Sequence, residues 1–184
     1  QLFNSAILIR EKNTAVISDK KLLPNYEVFD ETRYFDSGSG PGVFEINGLK
    51  VGIAICEDFW SGRESNKLYL DYSLDSIKDL DIDILAGMHA TPFRIGRPAR
   101  QSLLNHEFSN RFNCPVISAH QIGGNDDLIF GGAGGIYWPG SKANLLGHFF
   151  EGVKVFDINK LYENDLNGKL TLETEVFWPA METG

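Results

Sequence analysis

The sequence predicts an α/β fold built as one domain over residues 1–184. Three observations carry that expectation. Short runs rich in Val, Ile and Ala recur along the chain, and two segments with helical spacing of apolar residues separate the later runs. The chain has 184 residues with 42% apolar content, enough for a sizeable single core. Strand–helix–strand alternation packs helices against a sheet.

In chain order, the first strands are expected at Asn4 to Ile9 and Thr14 to Ser18. The polar residues Glu11-Lys12-Asn13 between them suggest a hairpin. A long segment from Leu23 to Pro41 follows, carrying Pro24, Asn25, Tyr26, Phe29 and Arg33. Loops of that length in compact domains are usually functional or disordered, and the aromatic residues point to function. Lys50 to Ile55 reads as a strand, followed by a helical segment in which Leu70, Leu74 and Ile77 recur at i, i+4 and i+7. A strand at Ile82 to Ala86 precedes a second helix marked by Leu104, Phe108 and Phe112. Pro115 to Ala119, Gly135 to Tyr137 and Val153 to Phe156 complete the strands.

Composition excludes several function classes. The net charge of -8 argues against a nucleic-acid partner, because phosphate binding needs clustered Lys and Arg. No run approaches the ~18 apolar residues of a membrane helix, so no membrane partner is expected. Nothing resembles a signal peptide. Two cysteines make no disulfide framework, and no Cys/His spacing suits zinc. The expectation is a reducing, cytoplasmic setting with no metal and no cofactor.

The chemistry concentrates where the apolar run Val51-Gly52-Ile53-Ala54-Ile55 ends at Cys56 and turns polar at Glu57-Asp58. Open α/β sheets bind ligands beyond the carboxyl ends of their strands, which favours a reactive thiol here. A buried structural cysteine is the alternative. Glu57 and Asp58 disfavour a thiolate, so a reactive Cys56 needs a cation beside it. Lys20, after the strand ending at Ser18, can supply it; a surface Lys20-Lys21 pair is the alternative. Gly52 would let a neighbouring element approach the strand closely.

These residues carry a resemblance. The run from Lys20 through Leu23-Pro24-Asn25-Tyr26 to Phe29-Asp30-Glu31 resembles the lysine segment of the nitrilase superfamily. Its nearest branch is the glutamine-hydrolysing domain of glutamine-dependent NAD synthetases. Cys56-Glu57-Asp58-Phe59-Trp60 resembles the nucleophile motif, 36 positions after Lys20. Thr91-Pro92-Phe93-Arg94-Ile95-Gly96-Arg97 resembles the substrate segment, and Gln121 to Phe130 a further one. The resemblance implies a four-layer α-β-β-α sandwich with a Glu–Lys–Cys triad. Cys56 is then the nucleophile and Lys20 the oxyanion partner, while Tyr26, Glu57, Thr91 and Arg97 match glutamine-binding positions. It also implies a homo-oligomer and a synthetase domain or subunit that receives ammonia.

The chain departs from that pattern in three places. The family's general-base Glu lies far upstream of the lysine, yet only nineteen residues precede Lys20 and Glu11 sits in a turn. The expectation is therefore a nitrilase-type domain whose N-terminal part is absent. Gly131 and Gly134 stand where Asp and Ser are usual, and His89 and His120 where Asn is usual. Both histidines read as structural, and Cys114 as core. No Ser-Gly-Gly-x-Asp-Ser segment occurs, so ATP and NAD chemistry is not expected in this chain. Three readings follow: a glutaminase feeding NAD synthesis, a free-standing amidase on another small carboxamide, and a non-catalytic nitrilase-like subunit.

Overall fold

A computed structural model describes residues 1–26, 28–60, 69, 73–140 and 143–156. The chain forms two compact units, 1–87 and 88–184.

In the first unit, β1 (Ser5–Arg10) and β2 (Asn13–Asp19) form the expected hairpin, with Arg10 opposite Asn13 across a tight turn. Glu11 adopts φ 56° there. The segment from Leu23 to Pro41 is irregular over nearly all of its described residues, as expected. It contains a 3-10 turn at Glu31–Arg33 and leads into β3 (Gly42–Ile46). β3 pairs antiparallel with β4 (Leu49–Ile55) through Asn47-Gly48, both at positive φ. Asn-Gly is the residue pair that such a tight hairpin turn favours.

β4 is buried along most of its length, and β5 (Ile84–His89) lies beside it. A Cβ on Gly52 would sit 2.9 Å from the Ile82 side chain and 3.0 Å from Ile77, so glycine is what permits this packing. The expected helix around Ile77 is instead a 3-10 turn at Ser73–Ile77, with Leu70 outside the described residues. Its buried Leu74 and Ile77 still supply the predicted apolar face to a core with Phe59, Trp60 and Leu85. Burying each such large side chain contributes roughly 1.5–3 kcal/mol.

In the second unit, α1 (Arg97–Phe112) buries Gln101, Leu104, Asn105, Phe108 and Ser109, the i, i+3, i+4, i+7, i+8 stripe of an amphipathic helix. Pro98 in the first turn and Asn113 in the left-handed conformation delimit it. The strands here are β6 (Val116–His120), β7 (Ile122–Asn125), β8 (Leu128–Gly131), β9 (Gly135–Tyr137) and β10 (Asn144–Leu145). They give the order β10-β9-β6 and a separate β7-β8 hairpin. Val153 to Phe156, expected as a strand, is not one: Val153 and Val155 are 93% and 90% exposed, and β-branched propensity alone does not make a strand without a sheet partner. Among the described residues, no helix is long and apolar enough to cross a membrane.

Candidate active site

Cys56 follows the last residue of β4 and opens a 3-10 turn, Cys56–Trp60. Its φ of 41° is unusual for a residue with a Cβ. The surrounding structure must hold it there, since such a conformation is strained. The anchors are the buried side chains of Phe59 and Trp60 and the fully buried Asp58. The strand end thus presents a half-buried thiol, in no disulfide, at a sharp bend.

Asp58 fastens this bend to the lysine segment. Its carboxylate accepts from the Lys21 N–H (3.3 Å), the Leu22 N–H (3.1 Å) and the Ser73 hydroxyl (2.6 Å). Burial pushes its pKa up, while those three donors and the charge of Lys20 act in the opposite direction. Two sequence segments more than thirty positions apart therefore meet at one buried carboxylate.

Lys20 is 1% exposed, which removes the surface-lysine alternative. Its backbone is gripped from both sides: Lys20 N–H donates to Asn4 C=O at 2.8 Å, and Gly38 N–H donates to Lys20 C=O at 2.9 Å. Its Nζ donates to both carboxylate oxygens of Glu31, at 2.6 and 2.7 Å. Glu31 opens the 3-10 turn of the long segment, with its own N–H on Pro24 C=O. That carboxylate stands out only in the structure. The sequence signal was its place at the end of the lysine motif, where an acid with no assigned role remained.

Tyr26 OH donates to Glu57 Oε1 at 2.8 Å. Tyr69 is hydrogen-bonded to the same carboxylate, and its own hydroxyl is pushed well above the usual tyrosine range, first by burial and then by the Glu57 charge. Glu57 is buried, so two phenols hold an otherwise desolvated anion. Tyr69 escaped sequence reading because nothing near it in the chain marks it. Lys20, Tyr26, Cys56 and Glu57 all belong to the first unit.

Thr91 and Arg97 belong to the second. Pro92 bridges to Phe130, and Phe93 N–H donates to Ile129 C=O at 2.7 Å, which fixes the Thr91 segment along β8. Arg97 is the first residue of α1, after Gly96 at φ 84°. Both line a small cleft together with Gln101, His120 and His148. His120 stacks on His89 with ring centroids 4.5 Å apart, and its Nε2 lies 2.7 Å from Ser118 Oγ. Burial, then the neighbouring His148, lowers the His120 pKa to about 4. The two glycine departures have a packing reason. A Cβ on Gly134 would meet Ser118 C=O at 2.8 Å, and one on Gly131 the Phe93 ring at 3.0 Å. Cys114 is 2% exposed. Among the described residues, no group of three or more His, Cys, Asp or Glu is placed to hold a metal.

A carbon–nitrogen hydrolase family model matches residues 1–142. The chain is 35% identical over 195 residues to a glutamine-dependent NAD(+) synthetase of Synechocystis sp., a match that covers 100% of this chain and 34% of that protein. It spans about a third of that relative's length. The structure of a glutamine-dependent NAD+ synthetase from Acinetobacter baumannii superposes with a TM-score of 0.77 at 24% identity, over 97% of this chain and 36% of that one. An amidase from Nesterenkonia sp. superposes with a TM-score of 0.54 at 15% identity, over 72% of this chain and 46% of that one.

Proposed function

This chain belongs to the carbon–nitrogen hydrolase family, and from that premise we propose that it hydrolyses the side-chain amide of glutamine through a Cys56 thioester. Its fold is the α/β nitrilase type. Residues 1–184 are read as one hydrolase domain, and the ammonia released is read as feeding a synthetase domain or subunit. Homo-oligomeric assembly belongs to the same reading.

One observation supports this more than any other: a fully buried lysine, ion-paired to Glu31, is tied through Asp58 to the bend that carries Cys56. A desolvated ammonium is far more effective on developing charge than one in water. In the proposed sequence the Cys56 sulfur attacks the amide carbon, and the oxyanion is met by Lys20 and the N–H following the nucleophile. Collapse breaks the carbon–nitrogen bond, the nitrogen takes up the proton the thiol gave up and leaves as ammonia, and water then releases glutamate from the thioester and returns a proton to the Cys56 sulfur. Glu31, engaged by both oxygens, orients Lys20. Glu57, held by Tyr26 and Tyr69, suits the substrate ammonium; Arg97 and Thr91 suit its carboxylate. The relatives' names, which specify glutamine dependence, favour this substrate over other carboxamides.

The test is covalent trapping. A glutamine-mimicking diazo or chloroketone reagent should leave a single adduct on Cys56, read by mass spectrometry, and Cys56→Ala should abolish it. Labelling at Cys114 would sink the assignment. Equal use of glutamine and butyramide by the wild type would move the reading to a general amidase.

A further inference from the structure

Ser73 belongs to no motif and has no part in the proposed chemistry, yet its side chain reaches the junction between the lysine segment and the thiol. It is buried and opens the 3-10 turn Ser73–Ile77. Leu74 and Ile77 of that turn are buried as well, so the exclusion of apolar surface from water fixes where the turn stands. Serines in such turns commonly bond to nearby backbone. Ser76 does so on the same turn, its hydroxyl donating to the Ser73 C=O at 3.0 Å. The Ser73 hydroxyl instead donates to Asp58 Oδ1, fifteen positions away in the chain, at 2.6 Å.

Two segments are joined at Asp58. Its Oδ1 also accepts from the Leu22 N–H at 3.1 Å, and its Oδ2 accepts from the Lys21 N–H at 3.3 Å. Asp58 shares the 3-10 turn that Cys56 opens, and Lys21 directly follows Lys20. Both backbone contacts are long, whereas 2.6 Å falls in the range of a strong hydroxyl–carboxylate bond. Burial favours the neutral acid at Asp58. Of the groups that oppose it the Ser73 hydroxyl is the strongest, ahead of both backbone N–H groups and the Lys20 charge. A protonated Asp58 would carry a hydrogen on one oxygen and offer the lysine segment less to bond to. Without the hydroxyl, the group that joins the two segments is underpaired and more readily neutralised.

We infer that Ser73 is a positioning residue for the proposed amide hydrolysis: through Asp58, its hydroxyl fixes the Lys20 segment against the turn that carries Cys56. Ser73 acts through another side chain and touches no reacting atom itself. Displacing reacting groups by about 1 Å can cost ~10²-fold in rate, so a tie of this kind governs turnover from behind the site. The inference rests on the reading of Cys56 as nucleophile and Lys20 as its partner, and adds the group that holds the two together.

The experiment measures kcat and KM of the full-length protein on glutamine and on butyramide, with sites counted by covalent trapping at Cys56. Ser73→Ala should lower kcat per site at least ~10-fold and leave KM within ~2-fold. Ser76→Ala, on the same turn, should match wild type. Asp58→Asn keeps the side-chain volume and removes one carboxylate acceptor. It should lower kcat by at least as much as Ser73→Ala, and adding Ser73→Ala to it should lower kcat no further. Wild-type kcat in Ser73→Ala would overturn the inference, as would losses that multiply in the double variant. A Ser76→Ala defect of equal size would assign the effect to the turn as a whole and overturn it too. If Ser73→Ala does not fold, Ser73→Cys, close in size and a weaker donor, should lose kcat in the same direction, and wild-type kcat there overturns the inference. Equal use of butyramide by wild type would remove the glutaminase reading alone, because the Ser73→Ala loss is expected on either amide. Hydrolysis of neither amide by wild type would end both readings.

Discussion

The two units treat buried polar groups in opposite ways. In the first, Lys20, Glu57 and Asp58 are buried and each has partners: Glu31 for Lys20, Tyr26 and Tyr69 for Glu57, and two backbone N–H groups with Ser73 for Asp58. In the second, the cleft presents the Gln101 amide and the His148 Nδ1, which have no hydrogen-bond partner among the described residues. A paired charge in a low-dielectric site is held rigidly and needs no reorganisation when charge develops nearby. An unpaired polar group instead gains its partner when a ligand arrives. On the proposed function the difference would separate a region arranged for chemistry from one arranged for recognition, and mutation can break that comparison.

The largest effect is expected at the thiol. Cys56→Ala should remove amide hydrolysis altogether, whereas Cys114→Ser, at a core position, should retain turnover; an ammonia-release assay on both variants decides it. Next comes the ion pair. Lys20→Gln keeps a donor and removes the cation, and should lower kcat by at least ~10²-fold, by analogy with deleting one oxyanion donor. Near-normal turnover would return Lys20 to a structural role. Glu31→Gln leaves the lysine buried and underpaired. It should lower unfolding stability by roughly 2–3 kcal/mol, below the 3–5 kcal/mol range for fully buried pairs because Glu31 keeps a 22% exposed side chain. Chemical denaturation of the variant measures this.

In the second unit the signature should be different. Arg97→Ala should raise KM for glutamine with kcat largely kept and with little change for butyramide, since removing a group that binds ground and transition states alike acts on KM. A fall in kcat alone would erase the distinction between the units. The smallest effect is a titration. His120 should protonate near pH 4 by NMR, below its ordinary value of 6.5. A folded pKa below the unfolded one means that the folded state binds fewer protons. Its contribution to stability is therefore complete above pH 6.5 and is lost as pH falls toward 4. His120→Gln should flatten that part of the stability profile. A His120 ring that titrates at 6.5 would show that the cleft wets it fully.

Much of this was legible because it is local. The alternating runs that became β1, β2 and β4 and the apolar stripe of α1 depend on neighbours within a few residues. So does the switch from apolar to polar at Cys56. The Asn47-Gly48 hairpin was equally local and went unread, which also hid β3. By contrast, which carboxylate meets Lys20, which phenols hold Glu57 and whether Gln101 finds a partner are set by residues brought together from distant parts of the chain. Periodicity records which face of an element is buried, not which side chain waits across from it. Glu31 reaches Lys20 only because the loop after Leu23 turns at Glu31–Arg33, and the φ of 41° at Cys56 exists only because Asp58, Phe59 and Trp60 are packed and hydrogen-bonded behind it. Sequence by itself determined β1, β2, β4 and α1 and marked the thiol and the lysine; tertiary structure decided their partners, because pairing energies and burial arise only when separate segments exclude water together.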